Sequence, residues 1–262
     1  MKKILALLLA AMMLTVSLAG CNAAGGSDVE YVKGKGKLVV GMTDFKPMDY
    51  EEVEGSGEWV GFDADMAKLF AEELGVEVEF IEIDWGKKAT ALETKEIDVV
   101  WNGMTLTDEV KGLMGTSEPY CKNAQVVVLK SDIAAQYTTA DSIKSLTFAV
   151  ENESAGAKAL DALEVTYTAV DTQEKALMEV ASGSVQGCVI DLLMAGAMIG
   201  EGTSYPNLTI AVELSPEEYG VGFRKESDLI ATFNTFWKKA YDEGKVMAAA
   251  EKYGIAKNII EK

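Results

Sequence analysis

Residues 63–101 read DADMAKLFAEELGVEVEFIEIDWGKKATALETKEIDVVW, and two periodicities alternate within them. From Asp63 to Leu74, the residues Met66, Leu69, Phe70 and Leu74 fall on one helical face, with Asp63 placed to cap the start and Gly75 the end. Val76 to Ile83 then alternates with the period of two that a strand requires. Lys87 to Lys95 returns to a helical pattern with Ala91 and Leu92 facing inward, and Ile97 to Trp101 is the next strand. Helices interleaved with strands build a mostly parallel sheet, so this stretch sets the fold class as α/β.

The alternation extends both ways from there. Lys37–Gly41 reads as an earlier strand, and Ala124–Lys130 is an apolar, β-branched run followed by a connecting segment, Ser131–Ser142. A second block then begins, with strands at Leu146–Val150, Val165–Tyr167 and Cys188–Ile190 and helices at Ser154–Leu163, Thr172–Gly183 and Leu192–Ile199. Leu208–Val212 is a further strand, Tyr219–Arg224 is extended again, and helices follow at Asp228–Glu243 and Val246–Tyr253. Two α/β blocks with two extended segments crossing between them predict two lobes joined by a two-strand hinge.

The first residues predict export. Lys2 and Lys3 precede an apolar run, Ile4–Leu18, that is shorter than the roughly 20 residues a membrane span needs. It closes with Leu18-Ala19-Gly20-Cys21, and the small polar residues up to Asp28 read as a tether. With 42 acidic against 24 basic residues, the charge of −18 argues against nucleic acid and against electrostatic adhesion to anionic lipid. The chain has no histidine, which excludes histidine-based general base catalysis and most zinc sites. Beyond Cys21 only Cys121 and Cys188 remain; they read as a loop-edge thiol and a buried small hydrophobe, not as a disulfide framework. No acidic cluster has calcium-loop spacing, so neither metal nor cofactor is expected.

The motifs GMTDFKPMDY (41–50), GFDADMAKLFAEELG (61–75), IDVVWNGMTLTDE (97–109), SEPY (117–120), QVVVLKSD (125–132), IDLLMAGAMI (190–199) and YGVGFRKES (219–227) occur in this order. Together they resemble the extracytoplasmic solute-binding proteins of bacterial ABC importers, in the polar amino-acid-binding family of the family 3 type, and the resemblance covers essentially the whole mature chain. It implies a two-lobe venus-flytrap fold (periplasmic-binding-protein-like, type II), with lobe 1 from residues 29–125 plus 222–262 and lobe 2 from 126–221. It implies a monomer, held outside the cell membrane by a lipid on Cys21, that closes on a small polar solute and hands it to a membrane permease. The Leu-Ala-Gly-Cys ending is similar to a lipoprotein box, with residues 1–20 as the signal peptide and 21–28 as the tether.

The resemblance also marks a ligand site. Phe45 and Trp85 fall where the family places aromatic walls, Gly103 and Thr105 where backbone and hydroxyl hold a ligand carboxylate, with Asn102 and Met104 beside them as further ligand-binding candidates, Ser154 at the facing helix start, and Asp191 where a carboxylate pairs with the ligand's amino group. Each has a plainer role open to it: rim or core aromatic, turn, helix cap. Two positions depart from the pattern. Val110 stands where amino-acid binders carry an arginine that grips the carboxylate with its planar fork, and Ala155 stands where they carry a second hydroxyl. Glu151 and Glu153 add negative charge close by, with solvated acids at a helix start as their plainer reading.

Three ligands remain open on this reading. One is an amino acid whose carboxylate meets a substitute cation, Lys46, Lys87, Lys88 or Lys111. The second is a small cationic amine packed between Phe45 and Trp85 and paired with Asp191, and the third is a neutral polar solute. A dehydratase-like enzyme using Glu151 or Glu153 as general acid is the rival class, and a sensory module the third.

Overall fold

The computed structural model describes residues 26–262, so the expected signal peptide and the Cys21 anchor lie outside the described residues. The tether expected over 21–28 ends earlier than its composition suggests. Ser27 accepts from the Glu30 N–H to cap helix α1 (Asp28–Lys35), and Asp28 is buried against Arg224.

A nine-stranded mixed sheet organises the chain. One half holds β1 (Lys37–Met42), β4 (Glu77–Glu82) and β5 (Val99–Thr105), all parallel, with the small hairpin β2 (Tyr50–Glu51) and β3 (Trp59–Val60) beside them. Helix α2 (Phe62–Leu74) and helix α3 (Lys88–Glu93) are its crossovers. The other half holds β8 (Phe148–Glu151), β9 (Tyr167–Val170) and β10 (Gly187–Asp191), also parallel, with helices α6 (Ala155–Ala162), α7 (Gln173–Ser182) and α8 (Leu192–Met198). Between β1 and α6 the chain also forms α4 (Asp108–Leu113), the short strand β6 (Gly115–Thr116) and α5 (Ser131–Ala134).

Two long antiparallel strands, β7 (Cys121–Lys130) and β11 (Leu208–Phe223), join the halves and pair along most of their length. β11 continues into the first half by pairing with β5, and β7 continues into the second by pairing with β10. The two extended segments expected at Leu208–Val212 and Tyr219–Arg224 are therefore one strand, with two register shifts against β7 and a third against β5. Pro216 is tolerated inside it because β11 pairs only with β7 at that point and its other edge has no strand beside it; β5 joins from Tyr219 onward.

Helices α9 (Leu229–Asp242) and α10 (Lys245–Lys252) return to the first half. There Phe70 and Trp101 pack edge-on against Phe233, and Trp237 stacks on it. Met66, Phe70 and Leu74 are buried as the helical periodicity predicts, while Leu69 is only partly covered. Asp63 is not the cap of α2: Gly61 holds that position, and Asp63 is a fully buried carboxylate. Cys121, expected at a loop edge, is fully buried in β7, and both described cysteines are free. Among the described residues, no helix is long and apolar enough to cross a membrane.

Candidate functional site

The carboxyl ends of β1, β4, β5, β8, β9 and β10 face one another across the joining strands, and a cavity of about 160 Å³ lies between them. Open α/β sheets place ligands beyond their strands' carboxyl ends, because the crossovers leave a crevice there. Phe45, Trp85, Asn102, Gly103, Met104, Thr105, Val110, Ser154, Ala155 and Asp191 all line this one cavity. Thr43, Lys88, Glu109, Glu151, Glu153, Lys158 and Gln173 line it too.

On the β5 side, the stretch Asn102–Thr105 is strand, not the loop that its small polar residues suggest. Asn102 is buried: its amide donates to the Thr43 carbonyl and to Asp49 Oδ2, both at 2.9 Å, and its oxygen accepts from Thr43. Gly103 adopts φ 56, and a Cβ there would meet Phe45 at 2.4 Å, so only glycine fits beside that ring. The Gly103 N–H donates to Asp63 Oδ2 at 2.7 Å, as does the Tyr120 hydroxyl, so that N–H is not available to a ligand carboxylate. Burial pushes the Asp63 carboxyl up to about 7 against the pull of these donors, and pushes its neighbour Asp49 well above its usual range. Thr107, not Thr105, caps α4 by accepting from the Val110 N–H at 3.1 Å.

Asp191 occupies the cap position of α8 without capping it. Its side chain instead accepts from Asn123, from Gln125 at 3.0 Å, from the Tyr219 hydroxyl at 2.7 Å and from Gln173. Burial first, then the nearby Glu217, raise its pKa. Facing it, Ser154 caps α6 by accepting from Ala157 N at 3.1 Å. The N–H groups of the first helical turn, beginning at Ala155, point beyond the helix start as every helix requires.

The chain contains a single arginine, Arg224, and its guanidinium is bonded to Asp28, Asp98 and the carbonyls of Leu92 and Ile97, away from the cavity. No guanidinium is left for a carboxylate. Of the four lysines named as substitutes, Lys46, Lys87 and Lys111 do not line the cavity, and Lys87 is paired with Asp84 at 2.7 Å. Lys88 does line it. It is 8% exposed, its ammonium donates to the Trp85 carbonyl at 3.0 Å and sits 4.6 Å from the Trp85 ring centre, and burial lowers its pKa. Among the described residues no carboxylate lies within salt-bridge distance of it.

Across the mouth, Lys158 bridges Glu109 from one half and Glu153 from the other, each at 3.3 Å. Gly86 meets the Asn152–Glu153 turn so closely that a Cβ would lie 3.2 Å from the Asn152 amide. Glu153 is exposed, in keeping with a solvated acid, whereas Glu151 is not: it is 3% exposed, its Oε1 has no hydrogen-bond partner, and burial pushes it up to about 8 against the opposing effects of Lys88 and Gln173.

Residues 38–256 match the family model of the bacterial extracellular solute-binding proteins, family 3. The chain belongs to that family. Among relatives of this solute-binding protein, the arginine-binding extracellular protein ArtP of Bacillus subtilis (strain 168) is 30% identical over 261 residues, 97% of this chain and 98% of its own. Among solved structures, a mutant of ArgBP from T. maritima shares 31% identity with a TM-score of 0.80, covering 87% of this chain and 99% of that one. The ancestral amino acid-binding protein AncCDT-1, a precursor of cyclohexadienyl dehydratase, shares 28% identity with a TM-score of 0.78, covering 87% and 99%. The matching structures establish the type II two-lobe architecture, and the protein is an extracellular solute-binding protein of the amino-acid-binding kind.

Sequence reasoning about this solute-binding protein did not single out Gln173, Asn123, Gln125 and Tyr219, which hold Asp191, nor Lys158. Their signal is tertiary: they come from β7, α6, α7 and β11, and only the fold gathers them. The single arginine was a signal available in the composition.

Proposed function

We propose that the cavity binds an α-amino acid, with Asp191 taking the ammonium group and Lys88, together with the N–H groups at the start of α6, taking the carboxylate. The observation that carries this reading is Lys88 itself: a buried cation that lines the cavity, donates only to the Trp85 carbonyl and forms no salt bridge, with Glu151 the acid acting on it most strongly. Burying an ammonium without a counter-ion costs several kcal/mol, and a ligand carboxylate offsets that cost. Val110 packs in the same apolar cluster as Trp85, the ring under Lys88, so the lysine supplies charge close to where the family's arginine is missing. The names of the relatives, arginine binders among them, support an amino acid over a neutral solute.

Phe45 and Trp85 form the apolar walls. The lobes divide near residues 125 and 222, in the joining strands, and close over the ligand; the closed form is handed to an ABC permease by a monomer anchored through Cys21. The protein binds and does not catalyse.

A thermal-shift screen of residues 22–262 against the twenty amino acids and small diamines tests this. A ligand at 100 times its dissociation constant adds about 2.7 kcal/mol, a shift of several degrees. Shifts confined to carboxylate-free amines or neutral compounds overturn the assignment.

One observation favours a second reading. Glu151, pushed up to about 8, carries the protonation state of a general acid at neutral pH, and one structural neighbour is a precursor of a dehydratase. Turnover of a prephenate-like substrate by purified protein, abolished by Glu151→Gln, would establish it.

A further inference from the structure

We infer that Glu217, on the joining strand β11 and outside the cavity lining, is a positioning residue for amino-group recognition, acting on Asp191 through the side-chain amides of Asn123 and Gln125. The inference rests on the reading above that Asp191 takes the ligand's ammonium group, and adds the residue that sets its charge.

Strand register brings these groups together. Asn123 and Gln125 lie two apart on β7 and so share one face. Across one edge of β7, Asp191 stands opposite Gln125; across the other, Glu217 stands opposite Asn123. The Asn123 amide nitrogen donates to Asp191 Oδ1 and, at 2.6 Å, to Glu217 Oε1. The Gln125 amide nitrogen donates to the same two oxygens, at 3.0 and 2.9 Å. The Asn123 amide is held in this orientation by its oxygen, which accepts from the Leu193 N–H at 3.1 Å.

Each amide therefore gives one hydrogen to each carboxyl, and two acids are held beside one pair of nitrogens. Neither forms an ion pair among the described residues; Asp191 is 4% exposed and Glu217 half-buried. Two like charges so placed oppose each other, and a cation bound at Asp191 offsets both. Glu217 does not line the cavity, so its action on a ligand runs through Asp191.

The titratable groups around Asp191 are Glu217 and Tyr219 from β11 and Glu151 from β8. Lys88 lies in the same cavity on α3, and Glu109, Glu153 and Lys158 pair with one another at its mouth. Burial raises the Asp191 pKa, Glu217 raises it further, and donation from Tyr219 and Gln173 opposes both. The ligand-free site thus holds a proton at Asp191 more readily than a lone carboxyl would, and an ammonium group displaces it. Affinity rises with pH as that proton leaves, by up to about tenfold per unit, and Glu217 sets where on the pH scale the rise falls. The same proton is held by the folded chain and released on unfolding, so stability falls as pH rises from the ordinary carboxyl range through the raised Asp191 value.

Two measurements on the wild type, Glu217→Gln and Asp191→Asn test this: calorimetric titration with arginine from pH 5 to 8 in two buffers of different ionisation enthalpy, and urea denaturation of the ligand-free protein over the same range. Glu217→Gln keeps an acceptor oxygen for both amides and removes the charge. Its affinity profile should move toward acid by about half a pH unit or more, with fewer protons released on binding, and its urea midpoint should fall less steeply with pH. In the Asp191→Asn background, Glu217→Gln should flatten the urea slope no further. A role confined to hydrogen bonding would be met by glutamine, so a wild-type affinity profile and proton count in Glu217→Gln overturns the inference while leaving arginine binding standing. Equal flattening by Glu217→Gln with and without Asp191→Asn also overturns it, because the charge then acts on another group. A wild type that does not bind arginine overturns the amino-acid reading and, with it, the role in recognition.

Discussion

Arg224 and Lys88 are both largely covered cations on the same half of the sheet, and they are treated oppositely. The Arg224 side chain is 10% exposed and all three guanidinium nitrogens donate, to Asp28, Asp98, and the carbonyls of Leu92 and Ile97. Lys88 is 8% exposed and donates only to the Trp85 carbonyl. Desolvation opposes both charges. In the first case the protein supplies the compensation and ties α1, α3, the segment leading into β5 and the end of β11 together; in the second it is left to a ligand. Satisfied buried charge marks structure here, and unsatisfied buried charge marks the site.

The most forceful way to break this contrast is Arg224→Gln. It leaves Asp98, which has no exposure, with only Lys35 and the Val39 N–H, and stability should fall by about 3–5 kcal/mol in urea denaturation. Ligand affinity of the folded fraction should change less than twofold. A loss under about 1 kcal/mol would mean the cluster is not structural.

Asp191→Asn comes next. It keeps the shape of a side chain that four neighbours hold in place but removes the charge offered to an ammonium group, so affinity for any amino acid should drop about 100-fold, or about 2.7 kcal/mol, by calorimetry. A tenfold or smaller loss would place the ammonium elsewhere.

Lys88→Leu sharpens the comparison from the other side. Affinity should fall about tenfold while the ligand-free protein gains up to about 1 kcal/mol, because a buried ammonium with one acceptor is replaced by a group that suits the Trp85 and Val110 cluster. Adding Val110→Arg to that variant should recover most of the affinity. If it does not, the exchange of one cation for the other is wrong.

A pH dependence at Asp63 completes the comparison. Its carboxyl, pushed up to about 7, keeps a proton in the folded state between about pH 4 and 7 that the unfolded chain releases, so stability falls as pH rises through that window and levels off above it. Asp44 at about 6 and Glu151 at about 8 act with the same sign. Asp63→Asn should flatten the slope of urea midpoint against pH between 5 and 7; an unchanged slope would assign the proton to another group.

Much of this was legible in the sequence. The two periodicities of residues 63–101 sufficed for the α/β alternation, because burial of one helix face or of strand residues leaves a local signature. The ten candidate site residues proved to share one cavity, since they lie in the carboxyl-terminal part of a strand or in the turn or helix start beyond one, and a parallel sheet brings those ends together. The errors have a common origin. The expected strand stopped at Trp101 because Asn102 is polar, yet Thr43 and Asp49, both distant in the chain, satisfy it inside β5. Asp63 read as a cap for the same reason, and Ser27 and Asp28 as tether although Asp228 and Arg224 hold them.

The sequence by itself determined the order of elements, the family, and the absence of the expected arginine at Val110, because periodicity, motif order and residue identity are properties of the chain taken in line. Only the tertiary structure decided which polar groups are satisfied: that Arg224 is spent on the scaffold, that Lys88 alone of the four candidate lysines lines the cavity, and that Glu151 is buried with an oxygen unbonded. A charge on a helix or at a strand end has the same local pattern whether water, a partner or nothing surrounds it. Its energy is set by desolvation and by neighbours from other segments, and those are fixed only when the chain folds.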